Sequence, residues 1–259
     1  MKMPLEDYHQ IDAMSKGKLD KLAISPLHYK ASMENPPEPT PQMIFGAAYH
    51  LKALEPDEFE KYYVVPPKID RRTKDGKAEW EHWQWKNEGK TLLTQEDVTI
   101  IDEMIAVLYK HPTASKLLSD GIAEDSLIAE IDGVKAKCRP DYSRPDLNIL
   151  IDLKTTVDAS WIGFSKAVAN FNYHIQSAWY LDVANLAAEP IYKQFVFIAQ
   201  EKKPPYAIAI YVADNEMIEL GREKYLELLD TYKYCMDNDV WPGYPQVIQV
   251  ISLPGWAKK

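Results

Sequence analysis

The sequence predicts an α/β (α+β) fold, a mixed central sheet flanked by helices, and three observations carry that expectation. Apolar residues recur at helical spacing over 41–54 and again over 94–109. From Ser126 the pattern changes: "SLIAEIDGVKAKCRPDY" holds two strand-like runs joined by Asp132-Gly133, a strong hairpin signal. Two later runs, "KQFVFIAQ" and "YAIAIYVA", read as strands and are followed by a long helical stretch. Helices, a β-meander, two helices, two strands and a helix assemble as helices packed on a sheet.

The elements follow in order. Residues 1–40 are expected to be irregular, since "ISPLHYK" and "ENPPEPTPQ" hold five of the 18 prolines. Thr40-Pro41 is a helix start, and Met43, Ile44, Ala47, Ala48, Leu51 and Leu54 share a face over 41–54. Residues 66–90 form a polar segment with seven basic and five acidic side chains, its first half expected to be a mobile loop. Its Trp80, Trp83 and Trp85 suit core packing or a subunit interface, or stacking on an unpaired base. Thr94 and Asp97 form a capping box for the helix over 94–109, and a short helix reaches about Leu118. "LNILIDLKT" is a strand, 160–169 and 173–188 are helices, and 215–237 is the last helix.

Length and composition bound the function. At 259 residues the chain suits one domain over 1–259, with a loop-rich segment over 1–40, a helical region over 41–120 and a core over 121–259. No apolar run approaches the roughly 20 residues of a membrane span, and the N-terminus lacks the apolar stretch of a signal peptide. Cys138 and Cys235 have no metal-type spacing and fit a reducing compartment, so a cytoplasmic location is expected. The net charge of −9 argues against a nucleic-acid binder, unless one basic groove is set in an acidic exterior.

Against that background, the strand "LNILIDLKT" raises a question: it carries Asp152 and Lys154 out of an apolar run. Side chains alternate along a strand, so Asp152 and Lys154 share a face. Asp141 precedes them, and if its strand neighbours theirs the two carboxylates converge. Carboxylates that close repel unless a cation lies between them. Mg²⁺ takes one or two carboxylates plus water, with the Leu153 carbonyl as a further ligand, and Lys154 stands where it can orient a water. A simple Asp152–Lys154 ion pair at a strand end is the alternative. Two more pairs bear on the choice. Gln176 and Tyr180 lie four apart on a helix, as do Gly46 and His50. A glycine inside a helix makes sense where a backbone or ligand comes close. A polar helix edge and a packing glycine beside a satisfied histidine are the plainer accounts.

Together these residues resemble the PD-(D/E)xK nuclease superfamily. Pro140-Asp141 matches its "PD" and Asp152-Leu153-Lys154 its "(D/E)xK". Gln176 to Tyr180 looks like the QxxxY motif, and Gly46 to His50 like the GxxxH motif, of the RecB-like branch. "YHQIDAMSKGKLDKLAISPLHYK" and "DRRTKDGKAEW" further resemble the C-terminal nuclease domain of the exonuclease VIII (RecE) family. The resemblance implies a restriction-endonuclease-like core. It implies a Mg²⁺-dependent exonuclease, with Mn²⁺ as a substitute, that degrades one strand of linear duplex DNA from its 5′ end. It also implies a 3′ tail delivered to a RecT-type annealing protein, and a ring-shaped homo-oligomer, expected to be a tetramer. By the same resemblance Asp141 and Asp152 are metal ligands with His50 at or beside the metal, and Lys154 positions the water. Gln176 and Tyr180 brace the site or touch DNA, and Glu130 matches an acid found in related nucleases. Arg71, Arg72, Lys74, Lys77, Arg139 and Arg144 are candidates for DNA phosphates. The rival readings are a structure-selective endonuclease or repair nuclease, a degenerate DNA-binding module, and an unrelated enzyme.

Overall fold

The computed structural model describes residues 3–187 and 189–253. The N-terminal segment is helical where irregular chain was expected: α1 (Leu5–Gln10), α2 (Lys16–Ile24) and α3 (Pro26–Glu34). The reason is where the prolines fall. Pro26 occupies the first helical position, where its missing N–H is no loss, and Ser25 ends α2 while its hydroxyl accepts the His28 N–H to open α3. Pro36, Pro37 and Pro39 come after α3 has ended.

Helix α4 (Pro41–Leu54) starts at the expected Thr40 cap. It is followed by α5 (Phe59–Tyr62), β1 (Tyr63–Val64), α6 (Lys74–Lys86) and β2 (Thr91–Leu92). The polar segment is thus helical from Lys74, with Thr73 accepting the Gly76 N–H, while residues 66–73 before it carry no helix or strand. Two-residue β1 and β2 pair in parallel at its flanks, too short to leave a periodic signal. Helix α7 (Gln95–Lys110) has the Thr94–Asp97 capping box, and α8 (Pro112–Leu117) follows.

The strands are β3 (Ile122–Ala123), β4 (Leu127–Ile131), β5 (Val134–Cys138), β6 (Tyr142–Arg144) and β7 (Ile149–Thr156). After α9 (Trp161–Asn170) and α10 (Tyr173–Ala187) come β8 (Gln194–Glu201), β9 (Ile208–Val212) and α11 (Asn215–Asn238). Ala188, the expected end of α10, lies outside the described residues. The central sheet has the order β3-β6-β7-β8-β9, with β7 and β8 parallel and the other pairs antiparallel. β4 and β5 form a separate ribbon, turned by Asp132 (φ 51°) and Gly133 (φ 75°), as a two-residue hairpin loop requires.

The sheet is buried on both sides, which is why β7 and β8 read as near-continuous apolar runs. Ile149, Ile151 and Leu153 of β7 point into a core with Tyr49 of α4 and Ile101, Met104 and Leu108 of α7. Leu150 points the other way, with Phe195 and Phe197, toward Ile175, Ala178 and Trp179 of α10 and the ribbon's Leu127 and Ala136. Among the described residues no helix is long and apolar enough to cross a membrane.

Candidate active site

The register of the sheet places the two aspartates. β6 pairs with β7 through Tyr142 opposite Ile151, and one step further Asp141 comes opposite Asp152. There the ladder ends. Instead of a backbone carbonyl, the Asp141 carboxylate (Oδ2) accepts the Leu153 N–H at 2.7 Å. A strand residue's N–H and C=O leave by the same edge, so the Leu153 carbonyl also faces this opening.

Two helices reach the opening from opposite faces of the sheet. From α4 comes His50, whose Nδ1 stands 3.4 Å from Asp141 Oδ2. Its neighbour Tyr49 anchors the helix: the buried hydroxyl donates to Gln200 Oε1 of β8 at 2.5 Å. From α10 comes Gln176, buried, whose Nε2 donates to Asp152 Oδ1 at 2.5 Å. Lys154 Nζ lies 2.6 Å from Asp152 Oδ2 and 4.6 Å from the centroid of the Tyr173 ring. Tyr180, one turn after Gln176, packs edge-on against Phe195, its hydroxyl pKa pushed far up by burial with Tyr8 and Asp152 adding to it.

The electrostatics separate the two acids. Burial would raise the Asp141 carboxyl, yet His50, Lys154 and the Leu153 N–H hold it below its ordinary value. Asp152 is 1% exposed, and burial reinforced by Asp141 lifts it to about 6 against the pull of Lys154 and His50. Burial works against the Lys154 charge, but Asp152 and Asp141 keep its ammonium above the usual value. His50 likewise is raised, with Asp141 overcoming the cost of burial.

A divalent cation fits this donor set. Asp152 Oδ2 is a buried oxygen that accepts no hydrogen bond of good geometry, although Lys154 Nζ is close. Among the described residues no three His, Cys, Asp or Glu side chains are already gathered as a closed metal cage. The set therefore suits a hard ion that takes one or two carboxylates, a carbonyl and its own waters, rather than one needing an all-protein cage.

Other expected residues lie elsewhere. Glu130 is exposed on the β4–β5 ribbon, opposite Lys135, because β4, which carries it, pairs in that ribbon and does not belong to the central sheet. The acid beside the cluster is Glu124: its N–H donates to the Asp141 carbonyl at 3.1 Å, and burial with Asp141 lifts its carboxyl to about 7. Glu124 follows a two-residue strand and has φ 53°, and no local pattern marks it. Arg139 pairs with Glu124 at 2.9 Å and also donates to the Met3 carbonyl. With His50 and Asp141 they border a cavity of about 720 Å³. Arg144 is buried, bonded to both Asp146 oxygens and the Lys116 carbonyl, so it closes α8 and does not present itself to a phosphate. Lys74 and Lys77 are exposed on α6. Arg72 pairs with Asp70, and Arg71 lies 4.5 Å over the Trp80 ring. Trp80 and Trp83 stack at 5.0 Å, and neither they nor Trp85 enters the core.

Sheet, crossover helices and this cluster define a domain of the PD-(D/E)xK nuclease superfamily. More particularly, the chain belongs to the family of PDDEXK-like domains of unknown function (DUF3799), whose model matches residues 15–254. The fold is similar to the crystal structure of a Eubacterium rectale protein provisionally named an exonuclease. That likeness has a TM-score of 0.70 and 15% identity, covering 98% of this chain and 96% of that one. A phage related exonuclease from Haemophilus somnus 129PT is a more distant likeness, with a TM-score of 0.38 and 14% identity over 67% of this chain and 91% of that one. No curated protein matches the chain.

Proposed function

We propose that this protein is a Mg²⁺-dependent exodeoxyribonuclease that degrades one strand of linear duplex DNA in the 5′-to-3′ direction. The observation that carries the reading is the meeting of Asp141, Asp152, Lys154, His50 and Gln176 where β6 parts from β7. In this reading Asp141, Asp152 and the Leu153 carbonyl hold the ion, with His50 bonded to Asp141. A bound divalent cation supplies charge neutralisation at the phosphate and a more acidic water. Lys154, braced between Asp152 and the Tyr173 ring, orients the attacking water and faces the charge that develops on the phosphate. Gln176 fixes the orientation of Asp152, and Tyr180 walls the site behind it. Lys74, Lys77 and Arg71 on the exposed face of residues 71–77 contact the duplex backbone. The product, a 3′ single-stranded tail, passes to a RecT-type annealing protein in the cytoplasm, and the working form is a homo-oligomeric ring.

The test is digestion of a linear duplex labelled at one 5′ end, beside a covalently closed circle, with and without Mg²⁺. Mononucleotides released from the 5′ end only with Mg²⁺, and an intact circle, are expected. A nicked or cut circle points to an endonuclease, and no cleavage with either Mg²⁺ or Mn²⁺ overturns the reading.

A further inference from the structure

Helix α2 supplies no residue of the cluster, yet its first residue reaches the ring against which Lys154 rests. Lys16 Nζ lies 5.6 Å from the centroid of Tyr173, and Lys154 Nζ lies 4.6 Å from the same centroid. Both distances fall within the roughly 6 Å over which a ring face attracts an ammonium group. Burial lowers the Lys16 ammonium and Asp20 opposes it, while Lys154 and Asp152 also act on it, so its charge is felt at the cluster.

The Lys16 side chain is only 15% exposed, and a lysine so covered needs partners. Its Nζ donates to Asp20 Oδ2 at 2.7 Å, one turn further along α2, and to the Phe171 carbonyl at 2.8 Å. Phe171 ends α9, where the last carbonyls lack a helical partner and a cation is favourable. The other oxygen of Asp20 accepts the Asn172 side-chain N–H at 3.5 Å, and the Asn172 carbonyl accepts the Gln176 N–H at 3.2 Å where α10 opens. Lys16 and Asp20 thus grip both residues of the turn that delivers Tyr173. The helix they stand on is itself fixed. Met14 exchanges backbone hydrogen bonds with Lys135 and Lys137 of β5, at 2.7 and 2.8 Å, and Leu19 and Leu22 are buried in the core.

We infer that Lys16 is a positioning residue for the cleavage: clamped with Asp20 to the turn at Phe171 and Asn172, it holds the Tyr173 ring against Lys154 and so keeps the Lys154 ammonium beside Asp152. Its own Nζ is committed to Asp20 and Phe171, so it acts through Tyr173 and not on the phosphate. The inference rests on the nuclease reading above and adds to it a part for the N-terminal helices.

Lys16→Met keeps the aliphatic stem and removes the charge. It is assayed on linear duplex with Mg²⁺, alone and in a Tyr173→Leu background, and its crystal structure is determined. The expected result is a fall in kcat of roughly 10–100-fold with KM for DNA little changed, as small misplacements of a reacting group produce. In the Tyr173→Leu background Lys16→Met should add no further loss, because both changes release the same contact. In the crystal structure of Lys16→Met the Tyr173 ring should have left Lys154. An unchanged kcat in Lys16→Met, whatever its thermal stability, overturns the inference, and so does a loss that simply adds to that of Tyr173→Leu. In either case metal-dependent cleavage by wild type leaves the nuclease reading standing. If wild type cleaves no DNA with Mg²⁺ or Mn²⁺, the nuclease reading falls. The crystal structure then decides the contact alone, and a Tyr173 ring still against Lys154 overturns it.

Discussion

Asp152 is buried, its pKa lifted to about 6, and only its ionised form can hold a cation. Raising pH through 6 frees the carboxylate, so affinity for the ion grows with pH. Below that point it should weaken about tenfold per pH unit, because binding must expel a proton. Calorimetric Mn²⁺ titrations at pH 5 and pH 7 check this, and equal affinity at both would contradict the assignment. Gln176→Ala removes the 2.5 Å hydrogen bond that orients Asp152. Its expected effect is a loss of about 10–100-fold in metal affinity, measured the same way, with the far-ultraviolet circular dichroism unchanged. Asp152→Ala and Lys154→Ala should each abolish cleavage while the protein stays folded; substantial activity in either excludes the proposed chemistry. At this scale most of the cluster was legible: Asp141, Asp152 and Lys154 stand out by residue type and spacing, and the resemblance carried by the ordered motifs adds His50 and Gln176. Glu124 and Tyr173 were not, because each reaches the cluster through a long-range contact that leaves no trace in its own neighbourhood.

Helices α10 and α11 pack closely enough that a side chain between them has no room. A Cβ added at Gly221 would fall 2.0 Å from the His174 carbonyl oxygen, which is backbone and cannot swing aside. Gly221→Ala should therefore destabilise the protein by about 1–3 kcal/mol in urea unfolding, by forcing the helices apart. Gly46 is the opposite case. Its added methyl would meet Thr155 Oγ1 at 3.9 Å, an ordinary contact, so nothing in the packing of α4 over β7 requires glycine. Gly46→Ala should stabilise α4 by up to about 1 kcal/mol in the same measurement. A drop in stability instead would show that α4 sits closer to β7 than described. Element types were well marked: the caps at Thr40 and Thr94 and the Asp132-Gly133 turn stand where the sequence puts them. The errors came where local signals pull both ways. Prolines near residues 26 and 36 suggested loops, yet proline is welcome at a first helical turn and after a last one. The charges of 66–90 suggested a loop, yet α6 from Lys74 needs no buried face beyond Gly76 to form.

For the molecule as a whole, the acidic net charge of −9 bears on the proposal of a polyanionic substrate. If exposed cations such as Lys74 and Lys77 contact phosphates, the apparent KM for linear duplex should climb steeply between 50 and 200 mM salt while kcat changes little. A salt-independent KM would place DNA recognition elsewhere. What the sequence determined by itself was the class of most of the longer elements, the mixed sheet, and the acids and lysine that mark the motif. Periodicity, caps and turns are short-range, and the acids and lysine declare themselves by standing in an apolar strand. What tertiary structure alone decided was which strands are neighbours and what therefore meets. The two strands that precede Asp141, β4 and β5, turned away into a ribbon, taking Glu130 with them, while a two-residue strand brought Glu124 in. Arg144 turned inward to close a helix. Strand pairing is settled by burial on both faces of the sheet and by hydrogen bonds between segments far apart in the chain, and neither is written in the local pattern of any one of them.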